Sequence, residues 1–150
     1  MTGHGHHWVG ILVGAGVLPW VSEHASPLLV LLAAWIGGTA PDWLEIPLAG
    51  TRLIPHRRVT HWALAWALGT LICLPYQAGP SVIPGIALGF CFGGLSHVIV
   101  DLPNPMGIPL FHPWRRSSLR WWKSGQNEFW IISAFLAAGV ASFVASSRMA

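Results

Sequence analysis

The chain has 150 residues, which is room for one domain, and we expect that domain to cover residues 1–150. Charged residues make up only 9% of the sequence, against about 25% in soluble globular proteins, whereas hydrophobic residues make up 53%. The mean hydropathy is +0.57 and the formal net charge is +3 at pH 7. This composition excludes a cytosolic enzyme, a disordered tail and a nucleic-acid-reading module. It indicates an integral membrane protein in contact with the lipid bilayer.

Five apolar stretches follow one another along the chain. A spanning helix needs about 20 residues, so the third to fifth stretches qualify or nearly do, whereas the first two are short. We therefore predict an all-α fold, a polytopic membrane bundle of about five transmembrane or partly spanning helices. Three spans with two re-entrant segments are the alternative. Histidines rather than Lys or Arg precede the first stretch, which favours a retained helix over a cleaved signal peptide. The stretches are residues 7–21, 27–40, 61–76, 82–100 and 129–146.

Basic residues mark one side of this predicted bundle. With five spans, the loops at residues 51–60 and 102–128 lie on the same side and carry seven of the eight Lys and Arg residues. Short loops rich in Lys and Arg stay in the cytoplasm, so we predict a multi-pass protein with a cytoplasmic N-terminus. Cys73 and Cys91 lie inside apolar stretches, which argues against a disulfide framework and a thiolate metal site.

Histidines and carboxylates gather on the same predicted side. Seven of the eight His and four of the five acidic residues fall there, drawn from all five stretches. Ionisable groups at membrane depth are costly, so they face an interior site or one another. This sorting predicts a polar site at the cytoplasmic end of the bundle.

The most specific motif ends the fourth apolar stretch, where His97 and Asp101 lie four residues apart on one helix face. An imidazole and a carboxylate at that spacing can clamp a metal ion between them. The alternative is a hydrogen bond that only joins neighbouring helices. Pro103 and Pro105 then stop the helix and leave Asp101 at its end.

Other segments carry further candidate ligands. His56 and His61 bracket a basic pair where a loop becomes the third helix, and the alternative is a cationic membrane anchor with incidental histidines. Asp42 closes the second stretch, where a single Asp can also serve as a polar helix end. Glu128 opens the fifth stretch, where a carboxylate also favours the helix dipole.

The N-terminal histidines are ambiguous, because spacing alone does not choose among His4, His6 and His7. Glu45 and His112 are weaker candidates. The better candidates comprise four His and three carboxylates, which would suit two metals bridged by a carboxylate. Zinc is the expected cation, with one to three ions, and Mn or Fe would also accept these ligands. The predicted metal ligands are His6, Asp42, His56, His61, His97, Asp101 and Glu128.

In these motifs the chain resembles the YdjM-type family, LexA-regulated inner-membrane proteins described as candidate metal-dependent hydrolases. That family's pattern is an early His, Pro-Asp, His-Arg-Gly-x-Thr-His, Ser-His-x-x-x-Asp and Thr-Pro-x-Gly-Val-Pro-Leu. The corresponding positions here are His6 or His7, then residues 41–42, 56–61, 96–101 and 104–110, with a Gly-x-x-Glu-like element at 125–128.

The chain departs from the family pattern at several positions. Leu44 stands where the family often has a second Asp, with Glu45 next to it. Arg58 replaces a glycine, Asn104 replaces a threonine, and His112 falls where the family tends to have an aromatic residue. The ligand set could therefore be smaller than the family's.

The resemblance implies a metal-dependent hydrolase in the bacterial inner membrane. The order of the ligands is also similar, more loosely, to the zinc-dependent phospholipase C superfamily, whose helical bundles hold multi-zinc sites that hydrolyse phosphoesters. The predicted substrate is a phosphoester, either a phospholipid or a lipid-linked phosphate, with Asp42 and Glu128 as catalytic carboxylates. The predicted substrate-binding residues are Arg57, Arg58, Arg115 and Arg116, which could instead lie among anionic headgroups.

Two functions without catalysis would use the same residues. The metal could be structural in a small interaction or regulatory protein, or the polar groups could conduct metal ions or protons. A conduit needs polar groups through the whole membrane, whereas the predicted spans beyond the cytoplasmic side are nearly pure Leu, Ala, Val, Gly and Trp. The hydrolase is therefore our first expectation, the regulatory protein the second and the conduit the last.

Overall fold

The computed structural model describes residues 1–21, 24–48 and 51–148, and it is mostly helical. Each of the five apolar stretches contains a helix, which confirms the helical part of the prediction. The α-helices are α1 (Gly3–Val17), α2 (Pro27–Gly37), α3 (Ala40–Trp43), α4 (Ala63–Cys73), α5 (Ile83–Asp101) and α6 (Glu128–Ser147). Short 3₁₀ helices lie at Leu18–Trp20, Val59–His61 and Leu74–Ala78.

Two helices in the described part of the chain are long and apolar enough to cross a membrane. They are α5, with 19 residues, and α6, with 20 residues. Helices α2 and α4 are also apolar but have only 11 residues each. A membrane span needs at least about 17 residues. The structure therefore supports two candidate spans, and crossing by about five segments stays a prediction.

Short strands occur in the loops, which the all-α prediction did not include. Within the described ranges, β1 (Pro47–Leu48) pairs antiparallel with β2 (Thr51–Arg52), and β3 (Ile108–Pro109) pairs with β4 (Arg116–Ser117). Prolines prevent these segments from continuing as helices, and their backbone groups pair as short strands instead. The first small sheet lies between α3 and α4, and the second lies between α5 and α6.

Glycines on one face of α5 bring α2 into close contact with it. Gly85, Gly89 and Gly93 are spaced four residues apart and are buried. A Cβ atom at Gly89 would lie 2.6 Å from the carbonyl oxygen of Val30, so a larger residue would force the helices apart. Small residues at this spacing let membrane helices approach closely. His97 is the next position along this face, so the same packing places its ring against the end of α2.

Helix α1 packs on α2 in the same way. A Cβ atom at Gly10 would lie 2.6 Å from the carbonyl oxygen of Ala34, and one at Gly14 would lie 2.7 Å from the Cβ atom of Ala34. His6 precedes Gly10 by four residues and shares its face of the helix. The glycine faces of α1 and α5 thus both lead to a histidine at the same end of the molecule. Helix α6 packs on α1 and has no buried residue of its own.

Candidate metal centre

Two groups of His, Asp and Glu side chains meet at the end of the molecule where α5 ends and α1 begins. Within each group, one ligand atom per residue can be chosen so that all lie within 4.8 Å of one another. Group one is His6, His97 and Asp101, and group two is Asp42, Glu45, His56 and His61. Six of the seven ligands predicted from the sequence therefore come together, and Glu45 joins them.

Group one is enclosed between α1 and α5, and each of its residues is at most 3% exposed. The Nε2 atoms of His6 and His97 lie 3.5 Å and 3.7 Å from the carboxylate oxygens of Asp101. The two imidazole rings stack with their centroids 3.8 Å apart. His97 Nδ1 donates to the carbonyl oxygen of Gly38 at 2.8 Å, so its Nε2 keeps a lone pair directed at the carboxylates.

Group two is built from α3, the turn that follows it and the loop before α4. Glu45 and His61 are fully buried, whereas the side chains of Asp42 and His56 are 43% and 35% exposed. His56 Nδ1 donates to Glu45 Oε2 at 2.8 Å, and His61 Nδ1 lies 3.3 Å from Glu45 Oε1. The Glu45 carboxylate thereby orients both imidazole rings.

Asp42 belongs to group two and also lies close to group one. Its Oδ1 is 3.4 Å from His61 Nε2, and its Oδ2 is 3.9 Å from His97 Nε2. Burial alone would raise the pKa of Asp42, but contact with His61 and the charges that His97, His61 and His6 carry when protonated lower that pKa to about 2. Asp42 is therefore an ionised carboxylate at neutral pH, with one oxygen facing each group.

Buried atoms without hydrogen-bond partners show that these residues fit a metal. Among the described residues, His61 Nε2, His97 Nε2 and Asp101 Oδ1 are buried and have no hydrogen-bond partner. Leaving such an atom unpaired costs about 1–3 kcal/mol. The contacts of 3.4 to 3.9 Å between imidazole and carboxylate are longer than the about 2.7–3.2 Å of a hydrogen bond. They approach the roughly 3.3 Å that separates two ligands of one tetrahedral zinc ion.

Arg57 connects the two groups. Its backbone N–H donates to Glu45 Oε1 at 2.9 Å, and its guanidinium Nη2 lies 2.6 Å from Asp101 Oδ2. Arg57 is only 6% exposed and has a φ of 56°, in the left-handed region that residues other than glycine rarely adopt. Arg57 thus holds Oδ2 of Asp101, whereas Oδ1 lies 3.5 Å from both His6 Nε2 and the N-terminal ammonium of Met1.

Glu128, predicted as a ligand and a catalytic carboxylate, belongs to neither group. Its side chain accepts hydrogen bonds from the backbone N–H of Thr2 and, at 3.2 Å, from the Thr2 hydroxyl. The Thr2 hydroxyl in turn accepts from the Gly5 N–H at 3.2 Å and caps α1. Glu128 therefore ties the start of α6 to the start of α1, and the geometry gives no support to its predicted roles at the metal.

The structure distinguishes the N-terminal histidines, which the sequence could not. His6 belongs to group one, whereas His7 stacks on Trp35 and its Nδ1 lies 3.2 Å from the Trp35 carbonyl oxygen. His4 is exposed. His112 is also exposed and contacts Trp114 rather than either group.

The four predicted substrate-binding arginines differ in their contacts. Arg57 reaches Asp101, but the guanidinium of Arg58 donates to the carbonyl oxygen of Trp114 at 2.5 Å. Arg115 and Arg116 are both exposed, and Arg116 is the first residue of strand β4. In the described contacts, Arg57 alone of the four touches a candidate metal ligand.

Glu45, a weaker candidate by its sequence, takes a central place in group two. Besides the two histidines, it accepts from the Arg57 backbone N–H and, at 3.5 Å, from the Thr60 hydroxyl. The available signal was its position three residues after Asp42, which places both carboxylates on one side of a helical turn. Leu44 stands where the family often has a second Asp, so the family pattern did not point to Glu45.

Replacing Glu45 by Gln is expected to weaken zinc binding by about 10- to 100-fold, because the ligands His56 and His61 lose the carboxylate that orients them. Competition with a chromophoric chelator measures the affinity of the purified protein. Glu128→Gln is the matched control and should bind zinc as the unmodified chain does. Unchanged affinity in the Glu45 variant would contradict this orienting role.

Comparisons with known proteins place the chain among inner membrane proteins. A family model described as YdjM inner membrane protein matches residues 1–150. Proteins named Inner membrane protein YdjM from Escherichia coli (strain K12) and from Shigella flexneri are each 37% identical to this chain over 81 residues. The match covers 52% of this chain and 39% of each relative, so it spans less than half of the relatives' length. No solved structure matches the chain.

Proposed function

Since the chain belongs to the YdjM family of inner membrane proteins, we propose that it is a membrane-embedded, metal-dependent hydrolase of phosphoesters. The observation that carries the proposal is the set of unpaired imidazole nitrogens that face carboxylates. The distances between these nitrogens and oxygens are close to those between two ligands of one zinc ion. The chemistry of the donor set favours zinc, and the Asp42 carboxylate lies 3.4 Å from His61 Nε2 and 3.9 Å from His97 Nε2. In this proposal, the ions are held by His6, Asp42, His56, His61, His97 and Asp101.

Divalent cations in such a site lower the pKa of bound water to about 7 and neutralise charge on phosphoryl oxygens. The chain's own residues supply the remaining requirements. Asp42 is ionised and its side chain is 43% exposed, so it can accept a proton from a water molecule that enters from outside. Arg57 holds Asp101 in place and supplies a buried positive charge next to the reaction site. Glu45 orients His56 and His61.

The site is proposed to lie at the cytoplasmic face of the inner membrane. Asp101 ends candidate span α5 and Glu128 begins candidate span α6, and both are close to the first residues of α1. The loops that leave this end carry most of the Lys and Arg residues, which favours the cytoplasmic side. This orientation, with a cytoplasmic N-terminus, is part of the proposal.

Metal analysis and turnover of the purified protein test the proposal together. We expect about two zinc ions per chain and hydrolysis of a phosphodiester substrate. Asp101→Ala should lose hydrolysis together with the zinc ion of group one. Glu128→Gln serves as the control because it changes a carboxylate outside both groups, and it should retain metal and turnover. Bound zinc without hydrolysis of any phosphoester would indicate a structural centre in a regulatory protein, and absence of bound metal would refute the proposal.

A further inference from the structure

Four large apolar side chains are exposed on the same segments that carry Asp42 and His56. We call them the apolar collar, and their exposed fractions lie between 45% and 66%. The collar is Trp43, Ile46, Leu53 and Val59.

The collar residues lie on connected pieces of backbone. The Ile46 N–H donates to the Trp43 carbonyl oxygen at 3.2 Å, and the Leu53 N–H donates to the Ile46 carbonyl oxygen at 3.1 Å. Val59 begins the 3₁₀ helix Val59–His61, which packs against α3. The backbone contacts therefore join these apolar positions to one another and to Asp42.

The metal centre opens on the side of these segments. Asp42 and His56 have side chains exposed by 43% and 35%, whereas the other ligands are almost fully buried. A water-soluble substrate would call for a polar rim around such an opening, yet the four collar side chains on these segments are large, apolar and exposed. Exposed aromatic and aliphatic side chains are stable where a membrane surface covers them.

The level of the site along the molecule agrees with contact to lipid. Asp101 is the last residue of candidate span α5, and Glu128 is the first residue of candidate span α6. The opening at Asp42 therefore lies level with the ends of both candidate spans, where acyl chains meet headgroups. Trp43 at this level is typical of the membrane boundary.

We propose that the apolar collar holds the acyl chain of a membrane lipid while the phosphate of its headgroup enters the metal centre beside Asp42. The substrate is then an amphiphilic phosphoester that arrives from the bilayer rather than from water. This inference rests on the proposed function, because it assigns the substrate class of the same site.

Binding to the cobalt-substituted protein in nanodiscs of uncharged lipid tests the collar without relying on turnover. Dodecyl phosphate and ethyl phosphate carry the same headgroup and differ in the length of the apolar chain. The visible absorption of Co²⁺ reports when either phosphate enters the centre. We expect dodecyl phosphate to bind at least about tenfold more tightly than ethyl phosphate.

The double variant Trp43→Ser/Leu53→Ser should remove most of that preference while ethyl phosphate binds as before. Leu71→Ser is the matched control, because Leu71 is 59% exposed on α4 and lies about 12 Å along that helix from its first residue, Ala63. It should keep the preference, since partition of dodecyl phosphate into the nanodisc is the same for every variant. Unchanged cobalt stoichiometry shows that a variant is folded.

Different results overturn different statements. Equal affinity for the two phosphates, or an equal preference in the collar variant and the Leu71 control, would refute the collar and leave the metal centre standing. Cobalt binding with no spectral response to either phosphate would refute the phosphoester function and the collar with it. Failure to bind cobalt would refute the metal centre itself.

Discussion

Replacing Asp42 by Asn is expected to reduce the rate of phosphoester hydrolysis by about 10³-fold, a loss typical of removing a positioned proton acceptor. The two oxygens of Asp42 face different groups, at 3.4 Å from His61 Nε2 and 3.9 Å from His97 Nε2. An amide has the same shape but one acceptor oxygen and no charge. The variant therefore loses the carboxylate that is proposed to accept the proton. Turnover measured at saturating zinc separates this loss from weaker metal binding.

The matched control for Asp42→Asn is Asn104→Asp, which adds a carboxylate at a buried position outside both groups. Neither change alters side-chain size, so a difference in rate between them reports chemistry rather than volume. Hydrolysis by the Asp42 variant at more than about a tenth of the unmodified rate would show that Asp42 is not the proton acceptor. In that case, Asp42 would serve only as a ligand.

The sequence was sufficient to identify most of the metal centre because its chemistry is local. His97 and Asp101 lie one helical turn apart, and their contact follows from helix geometry once α5 forms. The convergence of His6 on them is also encoded, because Gly10 on α1 and Gly93 on α5 let both helices approach α2. Most His and acidic residues fall on one predicted side of the bundle, and this pattern predicted that the separate segments would meet there.

The sequence was insufficient where the deciding contacts depend on loops. Glu45 is central because the loop at residues 56–61 folds back onto it, which requires the left-handed backbone of Arg57. That conformation is rare for arginine and has no signature in composition or spacing. Glu128 presented the opposite problem, because its position before an apolar helix resembles that of a ligand. Only the position of Thr2 shows that Glu128 instead accepts hydrogen bonds from Thr2, whose hydroxyl caps α1.

A bound cation would also explain how so many polar groups can be buried in an apolar chain. Imidazole and carboxylate side chains in a membrane protein are costly unless they bind each other or an ion. Here Arg57 and Glu45 form hydrogen bonds with part of each group, yet ring nitrogens of His61 and His97 still have no partner. Binding of a cation to those nitrogens would stabilise the folded chain in proportion to its affinity. Stability and metal content should therefore change together.

Replacing His97 by Ala is expected to empty group one, so that bound zinc falls from about two ions to about one. The ring of His97 is 1% exposed, and its Nε2 lies 3.7 Å from Asp101 Oδ2 and 3.9 Å from Asp42 Oδ2. Loss of an orienting partner weakens metal binding by about 10- to 100-fold. Loss of a ligand itself should weaken zinc binding in group one by a larger factor. Metal analysis after dialysis against micromolar zinc measures the stoichiometry.

His7→Ala is the matched control for His97→Ala, since it removes an imidazole that binds Trp35 and belongs to neither group. It should keep the full zinc content. Thermal unfolding separates the metal effect from the fold, because added zinc should raise the melting temperature of the control but raise that of His97→Ala much less. Full zinc content in His97→Ala would mean that group one holds no ion. The buried contacts of His6 and Asp101 would then serve only to join α1 to α5.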